Sequence, residues 1–232
     1  MKENQIDTEE FFVRLKIFLA CVMLALLASS SCAETLADSL RVAEDADQLA
    51  IVSGTKGSNA NFYFYERSFD GQWQEIFSCP AFIGKKGWGK TREGDMKTPR
   101  GVFTFTMAFG IDDDPGCPMG YTKVDSSHYW VGDSRSEFYN QFVSTRDYDS
   151  FNKKDSEHII DYDMAYRYCL NISYNEDGVP GYGSAIFLHC YTKNNFTGGC
   201  VSIPREEMAE VLKRVKDGCV VVMDESKNIG KY

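Results

Sequence analysis

From residue 49 onward the chain alternates short apolar runs with polar turns, and the runs have the length and composition of strands. Residues 49–53 are followed by the polar turn 54–59, then by the aromatic run 61–67; Asp70-Gly71 marks a hairpin turn before residues 73–77. Residues 102–106 alternate as a half-buried strand does, and 158–160 with 165–172 read as a pair of strands. Ile186, Phe187 and Leu188 form an apolar run too short for a helix and soon followed by turn residues, which predicts a buried strand. Residues 219–223 read as the last one. A single stretch carries the other period: Met208, Val211, Leu212 and Val215 recur at helical spacing, with Glu206 and Glu207 early and Lys213, Arg214 and Lys216 late. That charge order suits a helix dipole, and Gly218 suits the helix end. The pattern predicts a mainly β, antiparallel, β-sandwich-like domain over residues 49–232, with a helix after Cys200. Residues 110–154 have little period and the size of a functional lid; there Tyr129, Trp130, Tyr139 and Phe142 either cover a cleft or pack beneath the loop.

Ahead of this domain Arg14 and Lys16 precede an apolar run, residues 17–28, and then Ser29-Ser30-Ser31-Cys32-Ala33. A charged flank, twelve apolar residues and a small-residue site make residues 1–33 a secretory signal peptide or membrane anchor; twelve is short for a membrane span. Cleavage before Glu34 is the first expectation, with lipidation of Cys32 or retention as an anchor the alternatives. Export is common to all three, and any membrane contact is expected through this segment alone. Residues 34–48 are charged and weakly patterned and read as a linker. A chain of 232 residues allows one domain with an appendage, or at most two small domains, and a formal net charge of −9 argues against nucleic acid as a partner.

Chemistry concentrates near residues 184–202. His189 ends the predicted strand, and eleven residues later a small-residue turn, Thr197-Gly198-Gly199, delivers Cys200. A thiol nucleophile needs a base and a backbone able to point N–H groups at an oxyanion. Cys200 is assigned as nucleophile, His189 as its base, and the Gly199 and Cys200 N–H groups as oxyanion donors. A helix directly after Cys200 would lower its thiol pKa through the dipole.

Other readings turn on spacing. His189, Cys190, Cys200 and Cys219 are zinc-ligand types, but they lack the two short paired steps of common structural sites. Gly84-x-x-x-x-Gly89-Lys90-Thr91 fits the P-loop formula, yet glycine and proline follow where a helix must open, so no nucleotide partner is expected. Asp112-Asp113-Asp114 lacks EF-hand spacing. His158 is a rival base without a link to the cysteine turn. Six cysteines lie beyond residue 33, and a Cys190–Cys200 disulfide, which would block the nucleophile, stays open.

The block His189, Thr197, Gly198, Gly199, Cys200 and Val201 resembles the catalytic core of the L,D-transpeptidase family, cysteine enzymes that cross-link peptidoglycan. Residues 84–95, the run Lys97-Thr98-Pro99-Arg100-Gly101-Val102-Phe103, and residues 130–143 are similar to the same family, so the likeness covers roughly 51–224. Two departures stand out. Cys190 follows the histidine where many members have glycine, with a shorter gap to the cysteine. Ser202 stands where many have arginine or asparagine to hold a substrate carboxylate, with Arg205 nearby as a substitute. The resemblance implies an exported acyltransferase that forms a thioester at Cys200 with a peptidoglycan stem peptide, releases terminal D-alanine and passes the acyl group to an amine of another stem. It further implies that a backbone carbonyl orients His189, that Thr197, Gly198, Ser202 and Arg205 contact substrate, and that neither metal nor other cofactor takes part. An L,D-carboxypeptidase or cysteine peptidase using the same pair, and a non-catalytic wall-binding module, are the alternatives.

Overall fold

The computed structural model describes residues 34–232, so the expected targeting segment 1–33 lies outside the described residues. Residues 35–232 form one compact unit. Nine strands make the main sheet: β1 Gln48–Gly54, β2 Asn59–Arg67, β3 Trp73–Phe82, β4 Gly101–Gly110, β5 Thr122–Lys123, β9 Cys169–Ile172, β10 Phe187–Cys190, β11 Val201–Ile203 and β12 Val220–Glu225. Their order is β12-β1-β2-β3-β11-β10-β9-β4-β5, and β12 also pairs with β4, so the sheet closes on itself. Most ladders are antiparallel; β1–β12, β10–β11 and β4–β5 are parallel. The helix α1 (Arg205–Arg214) contributes Met208, Val211 and Leu212 to the same apolar cluster as Ala50, Val52, Phe62, Phe64, Leu188, Val201 and Ile203. A short helix α2 (Ser226–Ile229) follows β12. The mainly β, sandwich-like architecture with a helix after the cysteine is therefore as the pattern predicts.

Three expectations change. Residues 34–48 are not a linker: two 3₁₀ turns, Ala37–Ser39 and Arg41–Ala43, bury Ala37, Leu40, Ala43 and Ala46 against Leu49, Ile51, Tyr65 and Trp73. The cause is visible in β1, where Leu49 and Ile51 face this cluster while Ala50 and Val52 face the main core, so both faces are apolar and both need cover. Arg67 fastens the cover, its Nε donating to Ala46 O at 2.9 Å. Residues 158–160 and 165–172 do not pair with each other. Glu157–His158 is strand β8 of a separate three-stranded sheet, with β6 (His128–Trp130) and β7 (Phe142–Ser144), whereas β9 joins β10 and β4. Third, the segment between β4 and β9 holds that small sheet, so it is not a structureless loop. Among the described residues no helix is long and apolar enough to cross a membrane.

Candidate active site

Strand register brings the histidine and cysteine together. Parallel pairing sets Leu188 opposite Val201 and His189 opposite Ser202, so Cys200, one residue before Val201, arrives beside the strand that carries His189. Alternation sends Leu188 and Cys190 into the core, while Phe187 joins the cluster that contains Cys200. His189 and Cys200 line one cavity of about 430 Å³, with Lys90, Glu93, Met96, Glu157, Tyr166, Ala185, Thr197, Gly198 and Gly199 on its wall.

His189 is buried, and its Nδ1 lies 2.8 Å from the Cys190 carbonyl oxygen. A carbonyl only accepts, so Nδ1 carries the hydrogen and Nε2 the lone pair, the tautomer a base requires. The Tyr166 ring stands edge-on to the imidazole, with centroids 5.6 Å apart. Burial pushes the His189 pKa down to about 4. The Cys200 thiol is 8% exposed; its Sγ donates to Ala185 O at 3.1 Å and accepts from the Phe187 N–H at 3.4 Å. Burial first, and the Glu157 carboxylate second, push this thiol up to about 12. The resting pair is a neutral thiol and a neutral imidazole, so proton removal must accompany attack rather than precede it. The dipole effect expected for Cys200 is absent because β11 separates it from α1, which starts at Arg205.

The other candidate residues divide. Gly198 and Thr197 reach the cavity wall, but the Thr197 hydroxyl is engaged in the turn: Oγ1 donates to Cys200 O at 2.6 Å and accepts from the Gly199 N–H at 3.1 Å. The Gly199 N–H, expected as an oxyanion donor, is thus turned to Thr197. Glycine is required there for two reasons: φ is +153°, and a Cβ would meet the Lys97 carbonyl oxygen at 2.8 Å. Ser202 and Arg205 do not line this cavity. Ser202 is buried mid-strand, and Arg205 sits on the surface paired with Asp112. His158 has both ring nitrogens engaged, with Asp161 Oδ2 and Ser126 O, each at 2.9 Å. The six described cysteines are free thiols, so no Cys190–Cys200 bond ties up the nucleophile.

Several residues that complete the site carry only weak sequence signals. Thr98 is fully buried; its Oγ1 donates to Gly199 O and accepts from the Gly84 N–H, both at 2.8 Å, tying the glycine-rich loop to the cysteine turn. Residues 84–95 do not open a helix, consistent with rejecting the P-loop, and they instead supply Lys90 and Glu93 to the cavity wall. The Lys90 side chain is 2% exposed and paired with Asp95 at 3.2 Å. Glu157 accepts from the Tyr166 hydroxyl at 2.5 Å, and burial raises its carboxyl to about 7. Ala185 and Met96, both on the wall, hold φ of +54° and +62°, conformations that non-glycine residues adopt at a cost and that concentrate at functional sites. Asn140 supports the first: its Oδ1 accepts from the Ala185 N–H and from Trp130 Nε1, each at 2.9 Å.

The profile of the YkuD L,D-transpeptidase catalytic domain matches residues 58–223. No curated protein sequence matches the chain. Among solved structures, L,D-transpeptidase 1 of Mycobacterium tuberculosis is similar at 15% identity, over 76% of this chain and 60% of that one, with a TM-score of 0.38. An L,D-transpeptidase from Mycobacterium smegmatis aligns at 14% identity, over 77% and 59%, with a TM-score of 0.37. One from Stackebrandtia nassauensis aligns at 13%, over 83% and 67%, with a TM-score of 0.33. The chain spans about three-fifths of the length of the two mycobacterial proteins. The profile match covers well over half of the chain and takes in the glycine-rich loop, the histidine strand and the cysteine turn, so the chain belongs to the YkuD family of L,D-transpeptidase catalytic domains.

Proposed function

We propose that the protein is an exported cysteine acyltransferase of peptidoglycan. Cys200 attacks the amide carbonyl ahead of a terminal D-alanine on a stem peptide while His189 Nε2 takes the thiol proton. His189 returns that proton to the departing amine of D-alanine, leaving a thioester on Sγ. An amine of a second stem then attacks the thioester, restoring the thiol and completing the cross-link. The observation that carries this reading is the shared cavity wall of Cys200 and His189, with Nδ1 fixed on the Cys190 carbonyl and Nε2 left as the base. Glu93 and Glu157 on the same wall favour binding of an acceptor as its ammonium, which attacks as the neutral amine once its proton is released, His189 passing the amine's remaining proton to the departing sulfur. This supports transfer rather than the carboxypeptidase alternative.

Mass spectrometry after incubation with a stem tetrapeptide or a carbapenem tests the reading. An adduct is expected on Cys200, lost in Cys200→Ala and slowed at least about 100-fold in His189→Ala. A protein that takes no adduct, or takes it on another cysteine, ends the proposal.

A further inference from the structure

We propose that Lys90 is a catalytic residue: its ammonium hydrogen-bonds the oxyanion that forms when Cys200 attacks the substrate carbonyl. The inference rests on the acyl-transfer reading above.

Three observations meet at this side chain. Among the described residues, Lys90 is the only lysine or arginine on the wall of the cavity that holds Cys200 and His189. Its Nζ lies beside the cysteine turn, 3.6 Å from the point where a Cβ on Gly199 would stand. Its path there is kept open by Gly183, because a Cβ on that residue would collide with Lys90 Cε. An ammonium has three donors. Two are directed at Asp95 Oδ1, 3.2 Å away, and Arg92 O, 3.3 Å away. The third has no protein partner among the described residues.

One of the two backbone donors expected for the oxyanion is already engaged within the turn. The Gly199 N–H is held by Thr197 Oγ1. Arg205 is outside the cavity and paired with Asp112. Glu93, and Glu157 when it is ionised, place negative charge on the same wall, which opposes a developing oxyanion unless a positive group stands close to it. Lys90 is fixed for this task before substrate arrives. Asp95 grips it, and Asp95 in turn accepts from the Thr91, Arg92 and Lys97 N–H groups at 2.8, 3.2 and 3.1 Å.

The step balances without proton transfer from lysine. The sulfur lone pair forms the C–S bond as His189 takes the thiol proton, and the C=O π pair moves onto oxygen beside Nζ. On collapse that pair returns, the C–N bond breaks, and the leaving nitrogen takes the proton from His189.

Two reactions of the same sulfur separate the possible roles. Acylation by a stem tetrapeptide passes through an oxyanion; alkylation by iodoacetamide is a displacement that forms none. Loss of one oxyanion donor costs on the order of 100-fold. In Lys90→Met, acylation of Cys200 is therefore expected to slow about 100-fold while alkylation changes by no more than about 3-fold. The three N–H groups on Asp95 keep that carboxylate satisfied in the variant, and thermal unfolding checks that the fold holds. Should Lys90→Met melt below the assay temperature, Lys90→Gln, which keeps an N–H donor without the charge, carries the test with an expected loss of about tenfold. Equal slowing of both reactions, or acylation at the wild-type rate, overturns the assignment and leaves the acyl-transfer reading intact. A wild-type protein that takes no acyl adduct removes both.

Discussion

Two regions build the cavity, and they hold their residues by different means. On one side the closed sheet fixes His189 and Cys200 through backbone register, with side chains filling the core on alternate positions. On the other, residues between β4 and β9 supply Glu157 and Tyr166, and their anchors are side-chain hydrogen bonds: Tyr166 on Glu157, and Asn140 on Trp130 and Ala185. The sheet wall is cooperative, so damage there spreads; the other wall is a set of discrete contacts, so damage stays local. A pair of variants sharpens this contrast. Leu188→Ala empties a fully buried position and is expected to cost about 2–5 kcal/mol, with every probe of unfolding shifting together. Asn140→Ala strands the Trp130 Nε1–H and the Ala185 N–H, costing about 2 kcal/mol and raising hydrogen exchange around Ala185 more than in the sheet. Uniform exchange in both variants would erase the distinction.

The same contrast explains what was legible in the sequence. Periodicity finds the strands and the helix because burial imposes periods of two and 3.6, and the spacing of His189 and Cys200 is set by two of those elements. The cover over β1 was also readable in principle, since Leu49 to Val52 is apolar on both faces. Residues 34–48 bury Ala37, Leu40, Ala43 and Ala46 at a three-residue step, but three of the four are alanines and the period is that of a 3₁₀ turn, so the apolar signal is weak beside the strand and helix periods. The far wall was not legible. Glu157 there, and Lys90 on the loop before β4, look like ordinary surface charges in sequence, and only the tertiary approach of a tyrosine hydroxyl or an aspartate reveals them. The Cys200 environment escapes the sequence for a related reason: a three-residue strand between cysteine and helix is too short to announce itself.

Burial at the two walls pulls stability in opposite directions with pH, which gives the next largest effect. Glu157 is raised from 4.5 to about 7, so between those values the folded state keeps a proton that the unfolded chain releases, and stability is lost as pH rises through the window. His189 is lowered from 6.5 to about 4, so its contribution is present above 6.5 and lost as pH falls toward 4. Glu157→Gln removes the first dependence alone. Relative to wild type, the variant is expected to be more stable at pH 7.5 than at pH 4.5 by about 1–2 kcal/mol, allowing for access from the cavity, in urea denaturation at the two pH values. A wild-type–variant difference that does not change with pH would mean that Glu157 titrates normally.

The smallest expected effect probes the hinge between the walls. Ala185 is held at φ +54° with its N–H on Asn140 and its carbonyl accepting from the Cys200 thiol, so its strained backbone joins the polar network to the sulfur. Ala185→Gly removes the Cβ that makes this conformation costly, and at such a position glycine is expected to stabilise by about 0.5–1 kcal/mol. The same change frees the carbonyl to leave the thiol, so acylation of Cys200 is expected to slow a few-fold even as the melting temperature rises. Stability and activity moving apart would show that the strain serves to place the carbonyl against the sulfur. Destabilisation would instead show that the buried methyl group, packed with Phe187 and Cys200 in one cluster, outweighs the backbone cost.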